Sequence, residues 1–456
     1  MAHESTWLSR PRVLWVWALG ISFLISVSAA IRGGYVGPDY DTHLKRMLDS
    51  TRIFDFSTMD PPIYILLGHA LFRLIGRSNA FPITLSIIQA AVNTLALWWF
   101  FIYSERRFKS PVLHLALVFF LTFLPVRIIH AVCVGTDWLM VPLFVLVLFI
   151  VDRFCSEETS TPKNAAFLGL TLAFGVWGKY SFIGLLPAVF VIFVFQWWKR
   201  RWSLRRFVTL CLLSLLLPSA LFLYTSWKSS RVRGFTTQGI WLPKGTPPEM
   251  TYKDLLWVKK ADLQLFKAPE MFKRDPSNPG RYPINYREPH KHSYLGLSHL
   301  SVYTDTQNLF QELPLPHGVD RHLIPDFKTR PPWKTPVNVA SMTLGVLWTV
   351  LALIGTPWIL FGAVRNLWRD KLEREDVAGL LGTAYFLLMF LPIPFIMWAC
   401  LYGYWTPRLI LPPLFFFFWA AFLCLDRTIV RKSEKIAFDV LTLVLVQCGI
   451  EIVMLT

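Results

Sequence analysis

RGGYVGPDYDTHLKRMLDSTRIFDFSTMDPPIY, residues 32–64, follows the first long apolar run of the chain and ends on a Pro-Pro step that opens another. It carries five aspartates, Asp39, Asp41, Asp49, Asp55 and Asp60, together with His43. Gly37 and Pro38 suit a turn that would project the carboxylates following it. An acid-rich hairpin between two apolar segments is more than a connector, and it sets the reading of everything around it.

Composition decides the class. The 456 residues are 54% hydrophobic and only 16% charged, against about 25% charged in a soluble domain, so this is a membrane protein. The net charge of +17 sits in short basic clusters between apolar segments. Such clusters read as topology signals and contacts to anionic membrane lipids, and no nucleic-acid partner is expected. The six cysteines, Cys133, Cys155, Cys211, Cys400, Cys424 and Cys448, are scattered without zinc spacing or a disulfide framework. Arg10 and Arg12 precede the first apolar run, but no small-residue cleavage site follows, so that run is expected to stay as a helix.

A spanning helix needs about 20 apolar residues. Spans are expected near 13–31, 81–103, 111–130, 138–152, 164–178, 181–198, 206–227, 338–363, 377–400, 408–425 and 436–456, about eleven in all. The shorter run from Ile63 to Ile75, interrupted by His69 and Arg73, is expected to lie flat on the surface. With the N-terminus inside, the inner loops are 104–110, 153–163, 199–205, 364–376 and 426–435, and all five are basic. The bias is self-consistent. It turns the acidic hairpin outward, along with the long insert between Lys228 and Pro336.

Three expected units follow. Residues 1–227 form an N-terminal bundle whose first outer loop spans 32–80. Residues 228–336 form an outer insert, and 337–456 the last membrane helices. The insert is rich in proline and charge, with a helix expected over Tyr252–Phe266. His290 and His292 make an HxH pair, which without acidic or thiol neighbours is a weak metal signal. The ionisable residues of the bundle are expected to cluster at its outer rim.

Several residues could carry chemistry. Asp39 and Asp41 lie just after the first span, and a carboxylate there can accept a proton from a hydroxyl. Asp also favours helix N-caps, here for a segment Thr42–Ser50, and one residue can cap while the other reacts. Asp137, at the outer start of a span, would be costly unless paired or functional; a partner role with Arg127 and a site role stand level. Arg127, Lys179 and Arg408 keep positive charge on the outer side against the topology bias, as an anionic phosphate would require. Snorkelling at helix ends is the plain alternative. His43, Tyr64 after the Pro-Pro step, Tyr180 beside Lys179, and Tyr404 in YGYWTPR complete the candidate substrate-binding set. No Walker loop, GxSxG or HExxH is present, so nothing supports ATP-driven pumping, serine hydrolysis or zincin chemistry.

PDYDTH (38–43), DPPIYILLGHALFRLIG (60–76) and YWTPRLILPPLF (404–415), with WGKYSFIGLLPAVF (177–190) as a looser match, together resemble the GT-C membrane glycosyltransferases. The resemblance is to the branch of the protein mannosyltransferases and lipid A aminoarabinose transferases. It implies an all-α polytopic fold, a GT-C-like bundle with amphipathic surface helices and an outer-face insert. It further implies inverting transfer of one sugar from a polyprenyl-phosphate donor to a lipid, glycan or protein acceptor. Aligning Pro38 puts the family's catalytic acid on Asp39. Tyr40 stands where the family usually has Glu, and Asp41 comes one residue later, so the base is either aspartate. Arg408 would face the donor phosphate. The scheme needs no metal, and a divalent ion has no obvious ligand set. The expected setting is a bacterial inner membrane with the site facing outward. The alternative from another class is a transporter or lipid flippase, which predicts polar residues near mid-bilayer and two related halves. A non-catalytic scaffold subunit is the third reading.

Overall fold

A computed structural model describes residues 11–33, 40–54, 62–76, 80–154, 161–199, 201–233, 263, 299, 302–303, 334–369, 380–382, 411–428 and 434–456. Among the described residues all regular structure is helical. The helices are α1 (Pro11–Ile31), α2 (Tyr40–Leu48), α3 (Pro62–Ile75), α4 (Ala80–Glu105), α5 (Pro111–Phe123), α6 (Pro125–Val132), α7 (Met140–Arg153), α8 (Pro162–Gly178), α9 (Leu185–Trp198), α10 (Leu204–Arg233), α11 (Lys334–Trp368), α12 (Leu411–Thr428) and α13 (Glu434–Leu455).

Helix starts follow local chemistry. Ser110 and Thr161 cap α5 and α8, each side-chain oxygen accepting a backbone N–H (3.3 Å in both) ahead of a proline in the first turn. Of the described helices, five are long and apolar enough to cross a membrane: α1, α4, α10, α11 and α13. A sixth is counted if α5 and α6, bent by 45° at their junction, form one span. The chain is therefore an integral membrane protein, all-α among the described residues, where five to six helices reach spanning length against the eleven expected over the whole sequence. The expected spans at 138–152 and 181–198 are helices of only 14 residues. Each is short because its leading end is wound into a 3-10 turn, Thr136–Leu139 before α7 and Tyr180–Gly184 before α9. The expected span at 377–400 lies outside the described residues apart from 380–382.

Two ends of the bundle are distinct. At one, the basic loops are drawn together: Arg12 pairs with Glu105 (2.8 Å) and Arg107 with Asp152 (3.4 Å). There Asp426 of α12 accepts the backbone N–H groups of Lys109 and Ser110 (2.9 and 2.8 Å). At the other end lie the acidic hairpin, the start of α4 and the two 3-10 turns. Between them a continuous apolar core runs through α1, α4, α5, α7, α8, α11 and α12, with Phe120 packed edge-on against Phe418 (4.8 Å). The close contact of α8 and α10 needs Gly169, where a Cβ would run into the Leu213 carbonyl.

Other expectations shift. The first loop helix runs over 40–48 rather than 42–50, and α10 continues to Arg233, past the expected end of its span. The ionisable residues do not all gather at the rim. Arg127 and Glu451 are fully buried in the bundle: the Arg127 guanidinium finds partners on α1 and α5, and the Glu451 carboxyl accepts from Gln447 one turn earlier on its own helix. The helix Tyr252–Phe266, except Leu263, and the pair His290/His292 lie outside the described residues. The described part of the insert enters the bundle: Tyr303 is fully buried, beside Phe120 and Phe418.

Candidate active site

The acidic hairpin folds back on α3. Helix α2 packs on α3, with Met47 filling the space over Gly68 and His69 Nδ1 2.7 Å from the Met47 carbonyl. Arg46, buried, donates to the carbonyls of Arg52 and Ile53 (3.2 and 3.1 Å) and closes the turn after α2. Asp49 caps that turn: its carboxylate accepts from the Thr51 backbone N–H (3.0 Å) and hydroxyl (2.6 Å). These bonds hold its carboxyl below the usual carboxylate range. One aspartate of the hairpin is thus structural.

α2 also carries the sequence candidates. His43 is buried with its ring edge-on to that of Tyr64 at 5.5 Å, so the loop histidine and the residue after the Pro-Pro step meet. Asp41 belongs to the first turn of α2, and its side chain is outside the described set, as are Asp39, Tyr404 and Arg408 altogether.

Behind Tyr64, α4 presents a polar stripe that patterning did not bring out. Ser86 Oγ donates to the Val132 carbonyl (2.5 Å) and Asn93 Nδ2 to the Trp138 carbonyl (3.1 Å). Between them Gln89 is fully buried. Its amide is satisfied in one orientation: nitrogen donating to the Cys133 carbonyl (3.0 Å), oxygen accepting from the Tyr64 hydroxyl (2.8 Å) and the Trp138 indole N–H (3.1 Å). The signal was present in the sequence as Ser86, Gln89 and Asn93, at intervals of three and four in an otherwise apolar span. That spacing puts all three on one helix face.

This stripe sets the turn Thr136–Leu139, which contains Asp137. Lys179, at the extended C-cap of α8, closes the turn from the other side, its ammonium donating to Thr136 Oγ1 (2.8 Å). The side chains of Asp137 and Tyr180 are outside the described set. Their backbones place both in the 3-10 turns that flank Lys179. The structure therefore gathers His43, Tyr64, Lys179 and the turn carrying Asp137 at one end of the bundle.

Arg127 is elsewhere. Leu124 breaks the helix before Pro125, which has no N–H, and frees the Thr122 carbonyl. That oxygen accepts from Ser22 Oγ (3.0 Å) and from Arg127 Nη2 (2.5 Å), and the same guanidinium nitrogen contacts Ser22 Oγ. Ser22 lies midway along α1, so the guanidinium sits at mid-span and repairs a broken helix.

Among the described residues no group of three or more His, Cys, Asp or Glu is placed to hold a metal ion. No family model matches the chain, and no curated protein matches it.

Proposed function

We propose that the chain is a glycosyltransferase of the GT-C type, with a bundle of about eleven spans, transferring one sugar from a polyprenyl-phosphate donor to an acceptor at the outer face. One observation carries this reading. Lys179 is held on the Thr136 hydroxyl, beside Asp137 in the chain, at the end of the bundle that also holds His43 and Tyr64. A lipid-linked donor enters from the bilayer and needs a cation at headgroup depth for the phosphate charge that grows as the sugar leaves. Lys179 supplies one, and Arg408 would supply another. Asp39 or Asp41 would take the acceptor proton, and attack opposite the leaving phosphate inverts the anomeric centre. The inner membrane of a bacterium, with this end outward, is the setting proposed.

Radiolabelled sugar transfer from polyprenyl-phosphate donors by the purified chain tests the reading. Asp39→Asn, Asp41→Asn, Lys179→Ala and Arg408→Ala run beside the native protein. Loss of transfer in one aspartate variant that remains folded supports it; four variants equal to native, or a donor never consumed, sinks it.

A transporter or flippase is the second reading, and a specific observation favours it. Arg127 is a cation at mid-span, the depth at which transport sites lie. Donor-independent movement of a labelled lipid across proteoliposomes, abolished by Arg127→Met, would select it.

A further inference from the structure

A second buried polar group lies on α13, away from the site above. Gln447 and Glu451 stand one turn apart and both are fully buried. The Gln447 amide nitrogen donates to one Glu451 carboxyl oxygen (2.7 Å) and to Ser341 Oγ on α11 (2.9 Å). Ser341 Oγ donates in turn to the Tyr303 carbonyl (2.8 Å). The Tyr303 ring packs where Gly345 leaves room, since a Cβ there would strike it. The His299 ring lies tilted against that of Tyr303 (centroids 4.9 Å apart), its nitrogens 3.0 Å from Thr349 Oγ1 and 2.9 Å from the Met342 carbonyl. One chain of hydrogen bonds thus runs from α13 through α11 to Tyr303 of the insert.

Two oxygens in this group are buried without a donor among the described residues, Glu451 Oε2 and Gln447 Oε1. No described cation pairs with Glu451. Tyr303 of the insert and Cys448 of α13 face it, and both side chains are neutral in ordinary form near pH 7. His299 is bonded to α11. On the helices packed against α13, His114 of α5 is bonded to Ser104 at the opposite end of the bundle, and Arg365 lies at the far end of α11 from Ser341. Arg32, in the turn after α1, donates to the Thr456 carbonyl (3.2 Å). A bare carboxylate buried with a single hydrogen bond is costly, whereas the neutral acid is not. A carboxylic acid and a primary amide pair through two parallel hydrogen bonds, amide N–H to acid carbonyl and acid O–H to amide carbonyl. The first is present. The two oxygens lacking donors are the pair that the second would join.

We propose that Glu451 is a proton-binding site: its bound proton closes a cyclic pair with Gln447, and that pair holds Ser341 and Tyr303 of the insert in the bundle. The ligand is the proton itself, and the site is independent of sugar transfer. Infrared spectra of the full-length chain in detergent at neutral pH test it, read as native minus E451Q. The neutral-acid carbonyl band is expected in the native protein and lost in the variant. Hydrogen exchange around Tyr303 is read in parallel. E451Q can repeat the two-bond pair as an amide, so its exchange should stay within about twofold of native. E451L strands the Gln447 amide and should exchange about tenfold faster or more. S341A breaks the link beyond the pair, so it should speed exchange at Tyr303 while keeping the band; this variant also serves if position 451 tolerates no change. Absence of the band from the native chain, E451Q opening as far as E451L, or S341A exchanging like native would each overturn the proposal.

Discussion

The Tyr64 hydroxyl is 2.8 Å from the Gln89 side chain, and that contact joins the acidic hairpin to the wall behind it. Gln89 bonds three partners at once: Tyr64, the Cys133 carbonyl and the Trp138 indole. Gln89→Leu removes one buried hydrogen-bond partner from each of the three, at about 1–3 kcal/mol for a buried group that loses its partner. A lowered thermal midpoint in detergent is expected, with Gln89→Glu less damaging than Gln89→Leu because it keeps an acceptor for Tyr64 and Trp138.

Lys179 and Arg127 should separate cleanly in kinetics. Lys179→Met removes the ammonium held at Thr136 and is expected to lower transfer by about 100-fold or more, as when a donor to developing negative charge is lost. Lys179→Arg should restore part of it. Arg127→Met is expected to leave the donor KM within about threefold of native, because the guanidinium is spent on Ser22 and the Thr122 carbonyl. A large KM rise in Arg127→Met would place that residue at the donor after all.

Acid should open the hairpin before the bundle. The Asp49 carboxyl is held below its usual range by its two bonds to Thr51. A depressed folded value contributes stability that is present above the unfolded value and lost as pH falls through the folded one. Limited proteolysis near Ser50–Arg52 should therefore quicken below the ordinary carboxylate range. Asp49→Asn, which cannot carry the charge, should cleave at neutral pH as the native chain does in acid.

Gly169→Ala tests the contact of α8 with α10. The new methyl would collide with the Leu213 backbone carbonyl, which cannot move as a side-chain tip can. Overpacking of this kind costs about 1–3 kcal/mol. A lowered thermal midpoint is expected, and Gly449→Ala, which meets open space, is the matched control.

Much of the frame was legible in the residue order. Among the described residues the apolar runs are helices near the expected places, and the basic loops at 104–110, 153–163 and 426–435 meet at one end through Arg107, Asp152 and Asp426. The pairing of His43 with Tyr64 joins two motifs singled out in the hairpin. Less legible were the short helices α7 and α9. Their apolar runs look uniform, and nothing local announces that each begins with a 3-10 turn. The polar stripe of Ser86, Gln89 and Asn93 was visible as a spacing but was outweighed by the apolar residues around it.

The sequence by itself determined which segments leave water and which end of the bundle carries the basic loops. Both follow from local properties, the transfer of each side chain into an apolar medium and the charge of each loop. Only the tertiary structure decided which polar groups meet: Gln89 with Trp138, Lys179 with Thr136, Arg127 with the carbonyl freed at the α5–α6 break, and Gln447 with Ser341. A buried polar group must find its partner within hydrogen-bond reach. In these cases the partner is supplied by a helix packed alongside or by a bend in the chain, which no run of neighbouring residues records.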